Sequence, residues 1–293
     1  RIYDDFSNGL HSRLTKFPDV VTADVLDRES LVKAMAGVDS VIHLAAKKAV
    51  GESVDNPLKY YENNFGGTLN ILAAMKIAGV KKIVFSSTAA VYSPSEKPAI
   101  TEEDSTIPLS PYGATKLLSE QLISNVSSAE GFSCVSLRYF NVAGSGSDEM
   151  GDNSRDNLVP KVFLAITNGE RPEVFGTDYP TPDGTCIRDY IHVSDLARAH
   201  IDALKAVEKS RIDEIYNVGS GNGFSVTEVM TEIEKAMGKN LNPILGPRRA
   251  GDSPKLIASI EKISRDLGWK PKHTLRDMIT SSWSAWQSQG GSR

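Results

Sequence analysis

The sequence contains few cysteines, and they do not stand at a spacing that suggests a disulfide or a metal site. Only Cys134 and Cys186 occur among 293 residues, and each lies inside a strand-like run. A pair so far apart does not predict zinc or redox chemistry. A chain of this length can also bury a sizeable core without a disulfide or a metal. We therefore expect that the protein binds no metal and that it acts in a reducing compartment, the cytoplasm.

Long hydrophobic runs and basic clusters are missing as well. No apolar run approaches the roughly 18 residues that a membrane-spanning helix needs, and no basic segment leads into an apolar stretch as in a signal peptide. The formal net charge is −4, and the lysines and arginines are scattered, so no basic stripe predicts nucleic-acid binding. These absences favour a protein that acts on a small molecule, with neither a membrane nor nucleic acid as partner.

A third absence concerns glycine. A dinucleotide-binding sheet usually opens with a strand that runs into Gly-x-Gly-x-x-Gly, and this sequence has no such motif. It starts instead with Arg1-Ile2-Tyr3-Asp4-Asp5, which is typical of the end of a second strand, where an acid takes the adenosine ribose hydroxyls. We expect that the first strand and its glycine-rich loop are missing from this sequence. If they are truly absent from the protein, the alternative to an enzyme is a non-catalytic dinucleotide-binding protein.

Short apolar runs alternate with segments of helical period. The runs that we interpret as strands are residues 20–25, 40–46, 82–92, 133–142, 187–193 and 214–219. The helical segments are residues 28–36, 55–78, 113–130 and 194–208, with Asp27 as the expected cap of the first and Gly79 as the expected end of the second. Most strands are rich in Val and Ile with little polar alternation, as in a parallel sheet covered on both faces. The order predicts an α/β fold built on a doubly wound, mostly parallel Rossmann-type sheet.

The composition changes after Asn141. Residues 144–185 are rich in Gly, Pro, Asp and Asn, and residues 225–293 show helical segments separated by loops. We predict a dinucleotide-binding domain formed by residues 1–143 and 186–222, so that the strands at 187–193 and 214–219 return to the main sheet. Residues 144–185 and 223–293 are expected to form a smaller mixed α/β substrate domain.

The strongest local signal is Tyr112-Gly113-Ala114-Thr115-Lys116, directly after Pro111. Residues four apart share a helix face, so Tyr112 and Lys116 can reach the same reacting group. A phenol ordinarily titrates near pH 10, so a tyrosine that acts as a base near neutrality needs a nearby positive charge. Thr88 ends an apolar run, which places a hydroxyl at the carboxyl edge of the sheet, where α/β sheets bind their ligands.

Eight segments in order carry a resemblance to a known family. They are residues 41–54, 60–68, 84–92, 110–116, 137–144, 176–197, 216–221 and 248–252, which read VIHLAAKKAVGESV, YYENNFGGT, VFSSTAAVY, SPYGATK, LRYFNVAG, GTDYPTPDGTCIRDYIHVSDLA, YNVGSG and RRAGD. From about Tyr3 to Trp269 the chain resembles the extended short-chain dehydrogenase/reductase family, and within it the enzymes that invert C4 of UDP-hexoses.

The resemblance implies roles for individual residues. Thr88, Tyr112 and Lys116 would be catalytic, and they would also touch the cofactor. The other residues implied to line NAD are Asp4, Asp5, Phe6, Ser7, Asn8, Gly9, Asp24, Val25, Leu44, Ala45, Ala46, Lys48, Asn63 or Asn64, and Phe140. The residues implied to hold the UDP-sugar are Lys48, Thr88, Asn141, Asn157, Leu158, Phe175, Arg188, Arg249 and Asp252.

The chemistry of the implied substrate residues fits a nucleotide sugar. Arg188 and Arg249 suit a diphosphate through bidentate, charge-assisted contacts. The alternative for Arg188 is an ion pair with Asp189 or Asp195. The resemblance implies NAD as cofactor, a homodimer formed through residues 55–78 and 113–130, and inversion at C4 of UDP-glucose or UDP-galactose through a 4-keto intermediate.

Other reactions of the same family stay open to different degrees. An epimerase or decarboxylase of another UDP-sugar, such as UDP-GalNAc or a UDP-uronic acid, is an alternative that the residues do not exclude. A 4,6-dehydratase is disfavoured because Ala89-Ala90 follow Thr88, where relatives of that type carry an acidic pair.

Overall fold

The structure is a computed structural model that describes residues 1–152, 154, 156–249 and 252–290. Its strands are β1 (Ile2–Asp4), β2 (Val20–Thr22), β3 (Val41–His43), β4 (Lys82–Ser86), β5 (Ser133–Tyr139), β6 (Asn141–Ala143), β7 (Glu173–Phe175), β8 (Ile187–His192), β9 (Asp213–Val218), β10 (Gly223–Ser225), β11 (Ile244–Gly246) and β12 (Lys255–Leu256). Its α-helices are α1 (Arg28–Ala34), α2 (Val50–Asp55), α3 (Pro57–Tyr60), α4 (Gly67–Ala78), α5 (Pro111–Glu130), α6 (Leu158–Thr167), α7 (Val193–Lys209), α8 (Val226–Met237), α9 (Glu261–Leu267) and α10 (Leu275–Ser288).

The chain divides into two compact units. Unit 1 consists of residues 1–93, 105–138 and 200–216, and unit 2 consists of residues 94–104, 139–199 and 217–293. The dinucleotide-binding domain and the substrate domain expected from the sequence are defined by the ligands they bind. Their boundaries stay a prediction.

Unit 1 carries the predicted parallel sheet. Strands β3, β4, β5 and β9 follow one another in that order, with parallel pairing from β3 to β4 and from β4 to β5. Strands β1 and β2 form a separate parallel pair. Its core packs helix side chains such as Leu31 of α1, Met75 of α4 and Ile123 of α5 together with Phe85 of β4. The predicted α/β class and the place of the strand at 214–219 are confirmed.

Unit 2 is built on a different sheet. Strand β8 pairs with β6 and β12 in parallel and with β10 in antiparallel orientation, and β7 pairs with β11. The prediction that residues 187–193 return to the main sheet is therefore wrong. The apolar run correctly indicated a buried strand, but its hydrogen-bond partners come from residues as distant as Lys255 and Leu256, which no local pattern reveals.

Local chemistry explains several element boundaries. Asp27 caps α1 by accepting a hydrogen bond from the Ser30 amide at 3.0 Å, and Gly79 ends α4 with a left-handed φ of 75°, as glycine readily does. Ser110 caps α5 through the Gly113 amide at 3.2 Å, with Pro111 at the first helical position. The predicted strand at 82–92 stops at Ser86, because residues 89–91 form a 3₁₀ turn.

The long predicted helix at 55–78 is interrupted. It consists of the end of α2, then α3, a π-helical segment Tyr61–Gly66, and α4. Pi-helical turns are rare and often lie at functional sites. In the part of the chain that the structure describes, no helix is long and apolar enough to span a bilayer.

Candidate active site

The loop that follows β1 is organised by two acidic side chains. Asp4 Oδ1 accepts a hydrogen bond from the Phe6 amide at 2.7 Å, and Asp5 Oδ1 accepts one from the Ser7 amide at 2.8 Å. These turns place Phe6 at a φ of 54°, which is uncommon for a residue with a side chain. The Ser7 amide bond is the main cause of a lowered pKa of Asp5, which stays ionised.

A cavity of about 550 Å³ opens beside this loop, within unit 1. Apolar core side chains such as Leu31 and Met35 form part of its wall. Ten of the residues implied to contact NAD also line it. These are Asp4, Asp5, Ser7, Asn8, Gly9, Val25, Leu44, Ala45, Ala46 and Asn63.

The other seven implied cofactor residues do not line the cavity: Phe6, Asp24, Lys48, Phe140 and the catalytic candidates Thr88, Tyr112 and Lys116. Asp24 turns its carboxylate to the Leu26 amide at 2.8 Å, Lys48 is exposed, and Phe140 belongs to unit 2. A residue that the sequence reasoning missed, Lys47, lines the cavity and donates from Nζ to Ser7 Oγ at 2.9 Å. Nothing in the sequence around the adjacent lysines 47 and 48 indicates which of them lines the cavity.

The structure distinguishes Asn63 from Asn64. Asn63 lines the cavity, whereas Asn64 is buried in the π-helical segment. The Asn64 side chain accepts from the Lys47 amide at 2.8 Å and donates to the Lys47 carbonyl at 3.0 Å and to Thr115 Oγ1 at 3.2 Å. Asn64 thus fastens the segment after β3 to α5, and Asn63 is the better candidate for a contact with NAD.

Thr88 lies just beyond the carboxyl end of β4. Its Oγ1 accepts a hydrogen bond from the Ala90 amide at 3.2 Å, which caps the 3₁₀ turn and fixes the direction of the hydroxyl. The next helix begins against this turn. A Cβ atom added to Gly113 would lie 2.3 Å from the Ala90 carbonyl oxygen, so only glycine allows α5 to approach so closely.

Tyr112 and Lys116 lie one turn apart at the start of α5, and both are buried. Lys116 Nζ donates to the Ser86 carbonyl oxygen at 2.8 Å and lies 4.7 Å from the centre of the Phe85 ring. Burial lowers the pKa of Lys116 to about 7, and the charge of Glu120 acts in the opposite direction. The start of α5, which carries Tyr112 and Lys116, therefore packs against the end of β4 and the turn that Thr88 caps.

Four of the implied substrate residues form a connected group in unit 2. Arg188 Nη2 pairs with Asp252 Oδ1 at 3.3 Å, not with Asp189 or Asp195. The Asp252 amide donates to the Arg249 carbonyl at 3.3 Å, and the Arg249 guanidinium lies 3.8 Å from the centre of the Phe175 ring. The group presents two guanidinium ions, one carboxylate and one aromatic face.

The other implied substrate residues of unit 2 have different surroundings. Asn157 donates from Nδ2 to Asp152 at 2.6 Å and precedes Leu158, the first residue of α6. Asn141 is exposed at the start of β6, where it pairs with Tyr190. The role of Asn141, Asn157 and Leu158 in substrate binding stays a prediction.

The residues of unit 1 fit a dinucleotide. The cavity is of a size common for cofactor sites, and Asp4 and Asp5 offer carboxylates that suit ribose hydroxyls. Gly9 lies beside Asp4, because a Cβ atom built on it would be 3.4 Å from Asp4 Oδ1. In the described part of the chain, no group of three or more His, Cys, Asp or Glu residues is arranged to hold a metal ion.

Comparisons with known proteins agree with this geometry. Residues 4–219 match the NAD dependent epimerase/dehydratase family. A UDP-glucose 4-epimerase from Azospirillum brasilense is 43% identical over 292 residues, which covers 97% of this chain and 83% of that protein.

Solved structures lead to the same family. The UDP-glucose 4-epimerase from Stenotrophomonas maltophila, with bound NAD and formylated UDP-arabinopyranose, has a TM-score of 0.93 and 36% identity, covering 98% of this chain and 90% of that one. The enzyme from Bifidobacterium longum, in complex with NAD+ and UDP, has a TM-score of 0.89 and 38% identity, with 98% and 90% covered. The chain belongs to the NAD dependent epimerase/dehydratase family.

Proposed function

We propose that this chain is an NAD-dependent epimerase that inverts C4 of a UDP-hexose and interconverts UDP-glucose and UDP-galactose. The observation that carries the proposal is the placement of Tyr112 and Lys116 on one face of α5, whose first turn packs against the turn that Thr88 caps. The similarity to UDP-glucose 4-epimerases over nearly the whole chain supports the same reaction.

Proton transfer in this proposal belongs to Tyr112. Its phenolate oxygen takes the proton of the sugar C4 hydroxyl and later returns a proton to the inverted alkoxide. Lys116 favours the deprotonated tyrosine through its positive charge, and Thr88 Oγ1 shares a hydrogen bond with the sugar oxygen. NAD, when bound, supplies the chemistry of accepting a hydride from C4 and returning it to the opposite face of the 4-keto sugar.

Substrate binding is assigned to the connected group of unit 2. Arg188 and Arg249 hold the diphosphate, the Phe175 ring packs on uracil, and Asp252 takes a ribose hydroxyl. This division leaves the UDP part as a fixed anchor and the hexose as the part that turns. The binding energy then resides away from the reacting carbon, which allows either face of the sugar to be presented.

The proposed function is tested by incubating the purified protein with UDP-galactose and no added reductant. We expect UDP-glucose to form until the two sugars reach equilibrium, and we expect Tyr112→Phe to lower kcat by about 100-fold or more. Parallel assays with UDP-GalNAc and UDP-galacturonate separate the preferred substrate from the alternatives. A wild-type protein that leaves UDP-galactose unchanged, or Tyr112→Phe with normal kcat, contradicts the proposal.

We also propose that the chain forms a homodimer through residues 55–78 and 113–130, which contain α3, the π-helical segment, α4 and most of α5. Exposed apolar side chains on these elements support this, because Leu58 is 82% exposed, Ile77 65% and Leu69 43%, and exposed apolar patches often mark interfaces. We expect light scattering to give the dimer mass for the wild type and the monomer mass for Leu58→Asp. The control is Leu245→Asp in β11, where the side chain is 65% exposed and the dimer should persist. A monomeric wild type contradicts the proposal.

The free thiols of Cys134 and Cys186, both buried, are compatible with our further proposal of a cytoplasmic enzyme. Cell fractionation tests this location directly.

A further inference from the structure

Ser87, the residue between Ser86 and Thr88, is fully buried. Its Oγ donates a hydrogen bond to Glu120 Oε1. Its backbone amide donates to the Leu137 carbonyl at 2.8 Å. Ser87 therefore continues the attachment of β4 to β5 by one residue and at the same time joins this strand end to α5.

Glu120 lies on α5 one turn beyond Lys116 and is only 4% exposed. Its carboxylate is held by the Arg138 guanidinium, with Nε at 3.0 and 3.2 Å from the two oxygens and Nη2 at 2.6 Å from Oε2. Arg138, also 4% exposed, donates from Nη1 to the Tyr92 hydroxyl at 3.1 Å. Tyr92 follows the 3₁₀ turn that Thr88 caps.

These contacts join α5 to the end of β4 at three successive levels. Gly113 lies against the Ala90 carbonyl, Lys116 donates to the Ser86 carbonyl, and Glu120 accepts from Ser87. The bidentate Arg138 pair orients the Glu120 carboxylate from the side of β5, so the carboxylate cannot turn away from Ser87 without losing charge-assisted bonds.

A buried ion pair of this kind is not explained by stability alone. Removing two charges from water is costly, and well-packed apolar residues often replace such a pair without loss of stability. The Glu120–Arg138 pair has a clearer effect on the geometry of the elements around it. Here it fixes a strand end that carries Thr88 against a helix that carries Tyr112 and Lys116.

We propose that Glu120 is a positioning residue for the C4 inversion. Clamped by Arg138, it holds Ser87, and through Ser87 it sets the Thr88 hydroxyl and the Ser86 carbonyl that binds Lys116 at their working distance from Tyr112. This inference rests on the proposed function and adds residues that do not themselves touch the sugar or NAD.

The first test removes only the Ser87 hydroxyl. Ser87→Ala leaves the Glu120–Arg138 pair intact, so the protein keeps its fold and its NAD. We expect kcat for UDP-galactose to fall about 10- to 100-fold, because small displacements of reacting groups have effects of this size, while KM stays within about 3-fold because UDP binding is untouched. The isotope effect on kcat with C4-deuterated UDP-galactose should rise, since the hydride step becomes slower.

The matched control is Ser127→Ala. Ser127 is another buried serine on α5, and its hydroxyl donates to the Phe132 carbonyl at 2.9 Å, at the opposite end of the helix. We expect its kcat, KM and isotope effect to equal those of the wild type. If Ser87→Ala behaves like this control while the wild type is active, the positioning role is wrong and the proposed function stands. An inactive wild type overturns both.

A second variant changes Arg138, which holds the Glu120 carboxylate. Arg138→Lys keeps a positive charge but cannot form the bidentate contact with Glu120, and we expect the same loss of kcat with little change in KM. Because both changes act through Glu120, the loss in Ser87→Ala/Arg138→Lys should be smaller than the product of the two single losses. Losses that multiply, or an Arg138→Lys protein with normal kcat, contradict the proposal.

Discussion

Lys116 Nζ donates a hydrogen bond to the Ser86 carbonyl oxygen at 2.8 Å. This contact joins the helix that carries Tyr112 to the strand that leads to Thr88. Because Lys116 is buried in the folded protein, its pKa differs between the folded and unfolded states, and the stability of the protein should depend on pH.

Burial lowers the pKa of Lys116 to about 7, whereas an unfolded lysine titrates near 10.4. Between these values the unfolded chain binds more protons than the folded one, so the stability of the NAD-free protein should rise from pH 7 to pH 9. Denaturant midpoints at both pH values for the wild type and Lys116→Met measure this. The rise should be smaller in the variant, and equal rises would contradict the assigned environment of Lys116.

Gly113→Ala should disturb the site through its backbone. The new Cβ atom would lie 2.3 Å from the Ala90 carbonyl oxygen, and the resulting overpacking, about 1–3 kcal/mol, exceeds the roughly 1 kcal/mol that helix propensity returns. We expect a lower melting temperature and kcat reduced about 10-fold or more, because Tyr112 shifts with the helix.

Gly51→Ala in α2 is the matched control for this change. Open space surrounds a Cβ atom at Gly51, so stability should be equal or slightly higher and kcat unchanged. Two variants with the same melting temperature and the same kcat would refute the close approach of α5 to the turn after Thr88.

Arg188→Met should weaken binding of the UDP anchor. Arg188 pairs with Asp252, and the same group contains Arg249 and Phe175. A contact made equally in the ground and transition states affects KM, so KM for UDP-galactose should rise about 10-fold while kcat changes little. Steady-state kinetics measure both. Lys205→Met, which removes a surface partner of Asp202, should leave KM unchanged, and a similar KM for both variants would count against the assigned anchor.

The features that the sequence predicted correctly depend on neighbours in the chain. The cap of α1 links Asp27 to Ser30, the end of α4 depends on a left-handed Gly79, and the pairing of Tyr112 with Lys116 follows from helix periodicity. In each case the responsible residues lie within one helical turn. Tyr112 and Lys116 could therefore be placed on one helix face without knowing the fold, whereas their catalytic role was implied by the family resemblance and stays a prediction.

The features that the sequence did not predict depend on distant partners. Arg188 meets Asp252 across 64 positions of the chain, and β8 joins a different sheet because of partners near Lys255. The role of Glu120 was also missed, although its spacing of four from Lys116 is visible in the sequence. Its meaning depends on Arg138, which only the pairing of β4 with β5 brings near.

The central claim is that hydride leaves C4 and returns to the same carbon without exchange with water. The most direct measurement uses UDP-galactose deuterated at C4, the purified protein and no added reductant, with the product analysed by NMR and mass spectrometry. The account predicts that UDP-glucose retains the deuterium at C4. Loss of the deuterium to solvent would contradict it.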